Sequence, residues 1–262
     1  MIVPENLKAL IFDMDDTLVA EKSSAKAALL KTCELARARY AIDPNDLYAS
    51  IRQTCRTLWH SSAVRPYSTE IGISSWEALR ARFEGTDENL RVLRRWAPSY
   101  RLDSWRNALA RHNVHDDDLA RELAESFPRH RRRLHVVYAD VRPALEQFRR
   151  RYRLGLLTNG APDLQREKLA GSGLAGWFDE VLVSGDIGFG KPNPRIYKTM
   201  LSRLNVTAAE AVMIGNSLHS DIQGAQAVGI PAIWIDRTGG PRDDAIVADF
   251  EVTNLRDLQS VL

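Results

Sequence analysis

The sequence predicts an α/β fold: a doubly wound parallel, Rossmann-like sheet with an all-helical cap inserted after its first strand. Two observations carry this expectation. Short apolar runs rich in β-branched residues, each ending in small, polar or turn-forming residues, recur at residues 7–12, 154–157, 181–184, 212–214 and 232–235; such runs mark strands buried in a parallel sheet. Residues 20–137, in contrast, carry almost no strand signal and many Ala, Leu, Arg and Glu at helical spacing.

The first strand, at 7–12, opens the sheet. In the insertion, candidate helices cover 24–40, with Ser23 or Ser24 as cap, then 47–59, 75–83, 89–96, 104–111 and 116–127. The core resumes near 138–140, where Pro143 opens a helix running through Arg150. Later helices are expected at 163–170, at 194–204 with Pro194 in its first turn, and at 220–228, ended by Gly229. Asn254 precedes a short terminal helix at 255–261. Alternation of strand and helix gives the doubly wound order, with a core domain of residues 1–19 and 138–262 and a helical cap of residues 20–137.

Bulk composition narrows the function. Among 262 residues, 36 basic and 34 acidic side chains leave a formal net charge of +2, so no global charge favours a nucleic acid polymer or a membrane surface. The start, MIVPENLKALIFD, lacks the basic flank and long apolar run of a signal peptide, and no stretch approaches the roughly 20 apolar residues of a spanning helix; a soluble, cytoplasmic protein is expected. Cys33 and Cys55 lie in helical stretches and read as packing thiols. Trp59, Trp76, Trp96 and Trp105 read as helix-packing residues. The run Arg129-His130-Arg131-Arg132-Arg133 reads as a solvated helix end, an anion-attracting patch being the sharper alternative.

Four segments that follow strands carry chemistry. The first strand ends in Asp13-Met14-Asp15-Asp16-Thr17, at the sheet edge where open α/β sheets bind ligands. Residues two apart on extended chain face the same way, and a hard divalent cation would relieve the crowding of Asp13 and Asp15; a solvated acidic turn is the plainer alternative. Thr158-Asn159-Gly160 after the second strand offers a hydroxyl, an amide and backbone donors to an anionic oxygen. Next, Gly188-Phe189-Gly190-Lys191-Pro192-Asn193-Pro194 holds one lysine in a constrained loop, placed to neutralise phosphate charge. The fourth strand ends in Gly215-Asn216-Ser217, with Asp221 following, a second carboxylate and an amide oxygen for a metal. Each segment alone has a bland explanation. Together they supply a nucleophile, donors, a cation and metal ligands in the order phosphoryl transfer requires.

With these four motifs in order, the chain resembles the haloacid dehalogenase superfamily, in its phosphatase branch with a helical cap after the first motif. The resemblance implies Asp13 as nucleophile, forming an aspartyl phosphate, and Asp15 as general acid/base. It implies Thr158 and Lys191 at the phosphate, with Asn159 adjacent, and Mg²⁺ held by a side-chain oxygen of Asp13, the backbone carbonyl of Asp15 and ligands from Asn216 and Asp221. Many relatives have Gly-Asp where this chain has Gly215-Asn216; a neutral amide ligates Mg²⁺ without neutralising its charge, so either affinity falls or Asp221 takes a larger share. Asp15 favours phosphate-ester chemistry over dehalogenation. The expected activity is hydrolysis of a small phosphorylated metabolite by a monomer or homodimer. A sugar-phosphate mutase is the second reading, and a non-catalytic phosphometabolite-binding module, motivated by Asn216, the third.

Overall fold

A computed structural model of the chain describes residues 6–239, 243 and 245–262. Strands β1 (Ala9–Phe12), β2 (Arg153–Thr158), β3 (Glu180–Val183), β4 (Ala211–Gly215), β5 (Ala232–Ile235) and β6 (Phe250–Val252) form one sheet in the order β3-β2-β1-β4-β5-β6. Every pairing is parallel, with Phe12 level with Leu156 on one side and Ile214 on the other. Parallel strands must be covered on both faces, which explains runs that are apolar throughout rather than alternating. The expected α/β fold with a doubly wound parallel sheet is therefore present, with one strand more than the sequence announced. Phe250-Glu251-Val252 has only three residues and a charged centre, so no apolar run marks it.

Two compact units make up the chain: Met1–Ala20, Val136–Asn159 and Ser172–Leu262 form the sheet unit, and Glu21–His135 with Gly160–Gly171 form a helical unit. In the helical unit, α1 (Glu21–Tyr40), α2 (Pro44–His60), α3 (Arg65–Glu70), α4 (Ser75–Ala78), α5 (Glu88–Ala110) and α6 (Asp117–Arg132) follow one another. The chain then forms α7 (Val141–Phe148) and β2 in the sheet unit and rejoins the helical unit as α8 (Pro162–Gly171). Ala161 and Leu164 enter the helical core alongside Leu93, Trp105 and Phe127, so the unit contains a segment beyond the expected 20–137. Back in the sheet unit, α9 (Pro194–Leu204) lays Ile196, Met200 and Leu204 against Ala9 and Ile11 of β1. Phe12, the next residue of β1, stacks at 6.3 Å on Phe148 of α7.

Several helices depart from the expected pattern. Segments 89–96 and 104–111 belong to one helix, α5, which carries Pro98 in its interior. A mid-helix proline loses a hydrogen bond, but Trp96 and Tyr100 on either side stack at 4.4 Å, with Trp59 of α2 5.6 and 5.8 Å from them. Packing overrides the local break. The helix expected at 75–83 stops at Ala78, and Phe83 adopts φ 54. Cys33 and Cys55 are buried free thiols, as expected of packing groups, and burial pushes Cys33 up to about 12. Among the described residues, no helix is long and apolar enough to cross a membrane.

The arginine run at 129–133 is not a solvated helix end throughout. Arg131 is 1% exposed and pairs with Glu21 at the start of α1. Glu21 also lies 3.5 Å from Arg80 and 3.6 Å from Lys168, and Lys168 bonds Glu77 at 3.0 Å. None of these five residues is more than 5% exposed. A buried carboxylate tolerates this only because cations surround it. Burial alone would raise the Glu21 carboxyl, but Lys168, Arg131 and Arg80 overcome that and hold it at about 2. Its pKa is lower folded than the ordinary value of 4.5, so its stabilisation is present above pH 4.5 and is lost as pH falls towards 2. Glu21→Gln is expected to cost roughly 3–5 kcal/mol, since it strands buried cations, and to flatten stability below pH 4.5. Urea denaturation of both proteins at pH 7 and pH 3 checks this; equal midpoints at pH 7 would refute it.

Candidate active site

The connections from β1 run to β2 and β3 on one side and to β4, β5 and β6 on the other. Such a switch point opens a crevice at the carboxyl ends of the two central strands. Asp13 stands there, its N–H donating to the Ile214 carbonyl at 2.9 Å as the ladder ends. The chain then turns tightly: Leu18 and Val19 both donate to the Met14 carbonyl, at 2.9 and 3.1 Å. Asp16 takes the left-handed conformation the turn needs, φ 59, which a short polar side chain tolerates better than most. This folds Thr17 back onto Asp13, its hydroxyl 3.0 Å from Asp13 Oδ2 and 3.3 Å from Asn216 Oδ1. Asp15 is half-buried and bridges Val19 through its backbone.

Lys191 is the centre of the cluster. Its Nζ donates to Asp13 Oδ1, Asp221 Oδ1 and the Leu157 carbonyl, each at 2.7 Å. Its backbone is clasped by Asn159, whose Oδ1 accepts from Lys191 N at 2.8 Å and whose Nδ2 donates to Lys191 O at 2.9 Å. Asn159, expected at a substrate phosphate, bonds the Lys191 backbone through both its amide oxygen and its amide nitrogen. Thr158 ends β2 with 1% of its surface exposed.

Asp221 is delivered by a wide π turn, Leu218–Gln223, rather than by the regular helix expected at 220–228. Ser217 caps it, accepting from Ser220 N at 3.1 Å, and the Ser217 N–H donates to Asp221 Oδ2 at 2.9 Å. Gly215 makes this approach possible: a Cβ built there would lie 2.3 Å from the Asp221 carboxylate. His219 is exposed and bonds Gln223, as expected of a loop side chain.

The charges do not balance. Asp13 and Asp221 share one ammonium, and all three residues are at most 7% exposed. Burial opposes the charge of Lys191, but Asp13 and then Asp221 outweigh it and raise its pKa. Burial, opposed by Lys191 and reinforced by Asp13, raises the Asp221 carboxyl to about 6. One cation is too little for two carboxylates, so the cluster has a standing affinity for a further positive charge. Among the described residues, no three carboxylate, imidazole or thiol side chains converge as a ready metal cluster. Cation binding here would combine two carboxylates with amide and backbone oxygens, the hard donors that suit Mg²⁺.

Three supporting residues have no role in the motif reading. Thr17 joins Asp13 to Asn216. Arg237 donates to the Thr17 carbonyl at 2.9 Å and reaches both oxygens of Asp140 at 3.0 Å. Asp140 in turn accepts from the Leu255 N–H at 2.6 Å. Arg237 stands two residues beyond β5, and its place near a strand's carboxyl end, as with Asp13 directly after β1, is the available signal.

A family model, haloacid dehalogenase-like hydrolase, matches residues 7–229. A phosphoserine phosphatase from Thermus thermophilus is 38% identical over 253 residues, 96% of this chain and 98% of its own length. An N-acylneuraminate-9-phosphatase from Rattus norvegicus is 25% identical over 261 residues, covering 98% of this chain and 94% of its own. The crystal structure of the putative HAD-hydrolase YfnB from Bacillus subtilis, bound to magnesium, superposes with TM-score 0.69 at 22% identity, covering 98% of this chain and 99% of that one.

Gly215→Ala is expected to push Asp221 off Lys191, since the new methyl overlaps the carboxylate. A loss of about 1–3 kcal/mol in denaturant unfolding is expected from such overpacking, together with a fall in turnover. Unchanged stability and unchanged turnover would show that Asp221 does not need its present position.

Proposed function

The chain belongs to the haloacid dehalogenase-like hydrolases, as an enzyme of their phosphatase branch, and we propose that it hydrolyses a small phosphomonoester through an aspartyl phosphate on Asp13. The observation that carries this reading is the buried trio of Asp13, Lys191 and Asp221. Lys191 bonds one oxygen of Asp13 and so orients it, while Thr17 holds the other. A carboxylate oriented this way is a competent nucleophile only if its charge is screened from the phosphate.

Mg²⁺ fits that need. Asp13, the Asp15 backbone carbonyl, Asn216 and Asp221 would hold it, and bound Mg²⁺ would screen the phosphate charge from the nucleophile. In the first step, Asp13 forms a bond to phosphorus and the bond to the ester oxygen breaks. Asp15 gives that oxygen its proton. In the second, Asp15 takes a proton from water, the water oxygen bonds to phosphorus, and Asp13 departs with phosphate released. Lys191 offsets charge on the transferring group, and the Thr158 hydroxyl, at the end of β2, is assigned to a phosphate oxygen. Asn159 contributes by positioning Lys191.

Phosphoserine is the first substrate to test, supported by similarity to the Thermus thermophilus phosphatase along nearly the whole of both chains. Phosphate release from phosphoserine and from an aryl phosphate is expected with Mg²⁺ and is expected to stop with EDTA. Asp13→Asn should reduce it to background, and Asp15→Asn should lower kcat by roughly 10²–10⁴-fold. Turnover of Asp13→Asn at the native rate would overturn the proposal. An isomerised sugar phosphate without free phosphate would instead identify a mutase.

A further inference from the structure

A second concentration of charge lies within the helical unit and takes no part in the chemistry above. A cavity of about 420 Å³ is lined by Arg80, Arg82, Arg101, Arg121 and Arg132, with Glu125 the only carboxylate among its lining residues. Its remaining walls, Pro98, Leu102, Ala124 and Pro128, are apolar and belong to α5 and α6. The volume falls in the range of small-molecule sites, roughly 300–1,000 Å³, and the wall combines apolar surface with a few charged donors, as such sites do.

The arginines are incompletely neutralised. Glu167 is shared between Arg80 at 3.2 Å and Arg132 at 2.8 Å, and Arg80 in turn shares Glu21, at 3.5 Å, with Arg131 and Lys168. Arg82 pairs with Glu84 at 2.9 Å, and Arg121 with Asp118. Arg101 bonds no carboxylate: its Nε donates to the Ala78 carbonyl at 3.2 Å and its Nη2 to the Ala81 carbonyl. Those bonds anchor a guanidinium at the cavity wall and leave its other N–H groups uncommitted. Burial works against this charge; the Asp163 carboxylate offsets part of that penalty, and Arg132 adds to it. Arg80, 3% exposed, has no hydrogen-bond partner for its Nε. Five arginines brought to one hollow at this electrostatic cost have a use if an anion completes them, because guanidinium pairs with carboxylate and phosphate through two parallel hydrogen bonds.

We propose that the helical unit binds a small organic polyanion in this cavity, with oxyanion groups on the arginines and an apolar body against Pro98, Leu102, Ala124 and Pro128. Such a site is separate from the Asp13 cluster in composition, since every residue lining it lies between Arg80 and Arg132. It does not depend on the phosphatase reading.

Calorimetric titration of the full chain, without metal, with benzene-1,3,5-tricarboxylate and with tripolyphosphate tests this. At least one anion is expected to bind saturably below about 10 mM. The double variant Arg82→Gln/Arg121→Gln, whose side chains are exposed, is expected to fold and to weaken that binding about tenfold, the effect of losing charge-assisted pairs. Arg101→Met should abolish it; if circular dichroism shows that this variant fails to fold, the double variant decides alone. Asp13→Asn should bind as the native chain does. No saturable binding of either anion, or unchanged affinity in the double variant, would overturn the proposal, as would loss of all binding in Asp13→Asn.

Discussion

The buried ammonium of Lys191 organises the sheet unit's chemistry. Taking a lysine out of water costs several kcal/mol unless its hydrogens and charge are matched, and here three acceptors match it. Those acceptors come from the ends of β1 and β2 and from the turn after β4. Three separate strand ends are thereby held to one point, and the orientation of Asp13 follows. Asn159 makes the loop around Lys191 part of the same assembly, through its bonds to both backbone atoms.

The same requirement, a cation for every buried carboxylate, is met differently in the helical unit. There, Glu21 and Glu77 are attended by Arg80, Arg131 and Lys168, with the partly exposed Glu167 adding a third carboxylate to Arg80. Each of those carboxylates has at least one cation beside it, and Glu167 is shared with Arg132 as well, so the cluster wants no further cation. Around Lys191 the tally fails by one. Carboxylates that each have a cation beside them draw none from outside, whereas two that share one ammonium remain open to another positive charge.

Much of this was legible in the sequence, because strands buried on both faces leave continuous apolar runs, and residues at their carboxyl ends converge. Asp13, Lys191 and Asp221 were legible as partners for that reason. The direction of the Asn159 side chain was not, since an amide beside a phosphate-binding loop serves the ligand or the loop equally well by sequence. Nor was the burial of Arg131, set among four other basic or titratable residues and followed only in space by Glu21, 110 positions earlier. Long-range ion pairs leave no periodicity. β6 was too short to register, and α5 ran through Pro98 because aromatic packing from another helix outweighed a local rule.

Helix α8 has a consequence for the chain's architecture. The path crosses between its two units four times, near residues 20, 135, 159 and 171, rather than the two times a simple insertion needs. Lys168, which neutralises Glu77 and Glu21, arrives only on the second excursion. A segment cut out at residues 21 and 135 would leave behind its own counter-ion. The two units share an interrupted inheritance along the polypeptide: any recombination event that exchanges the helical one must carry two separated stretches of sequence together.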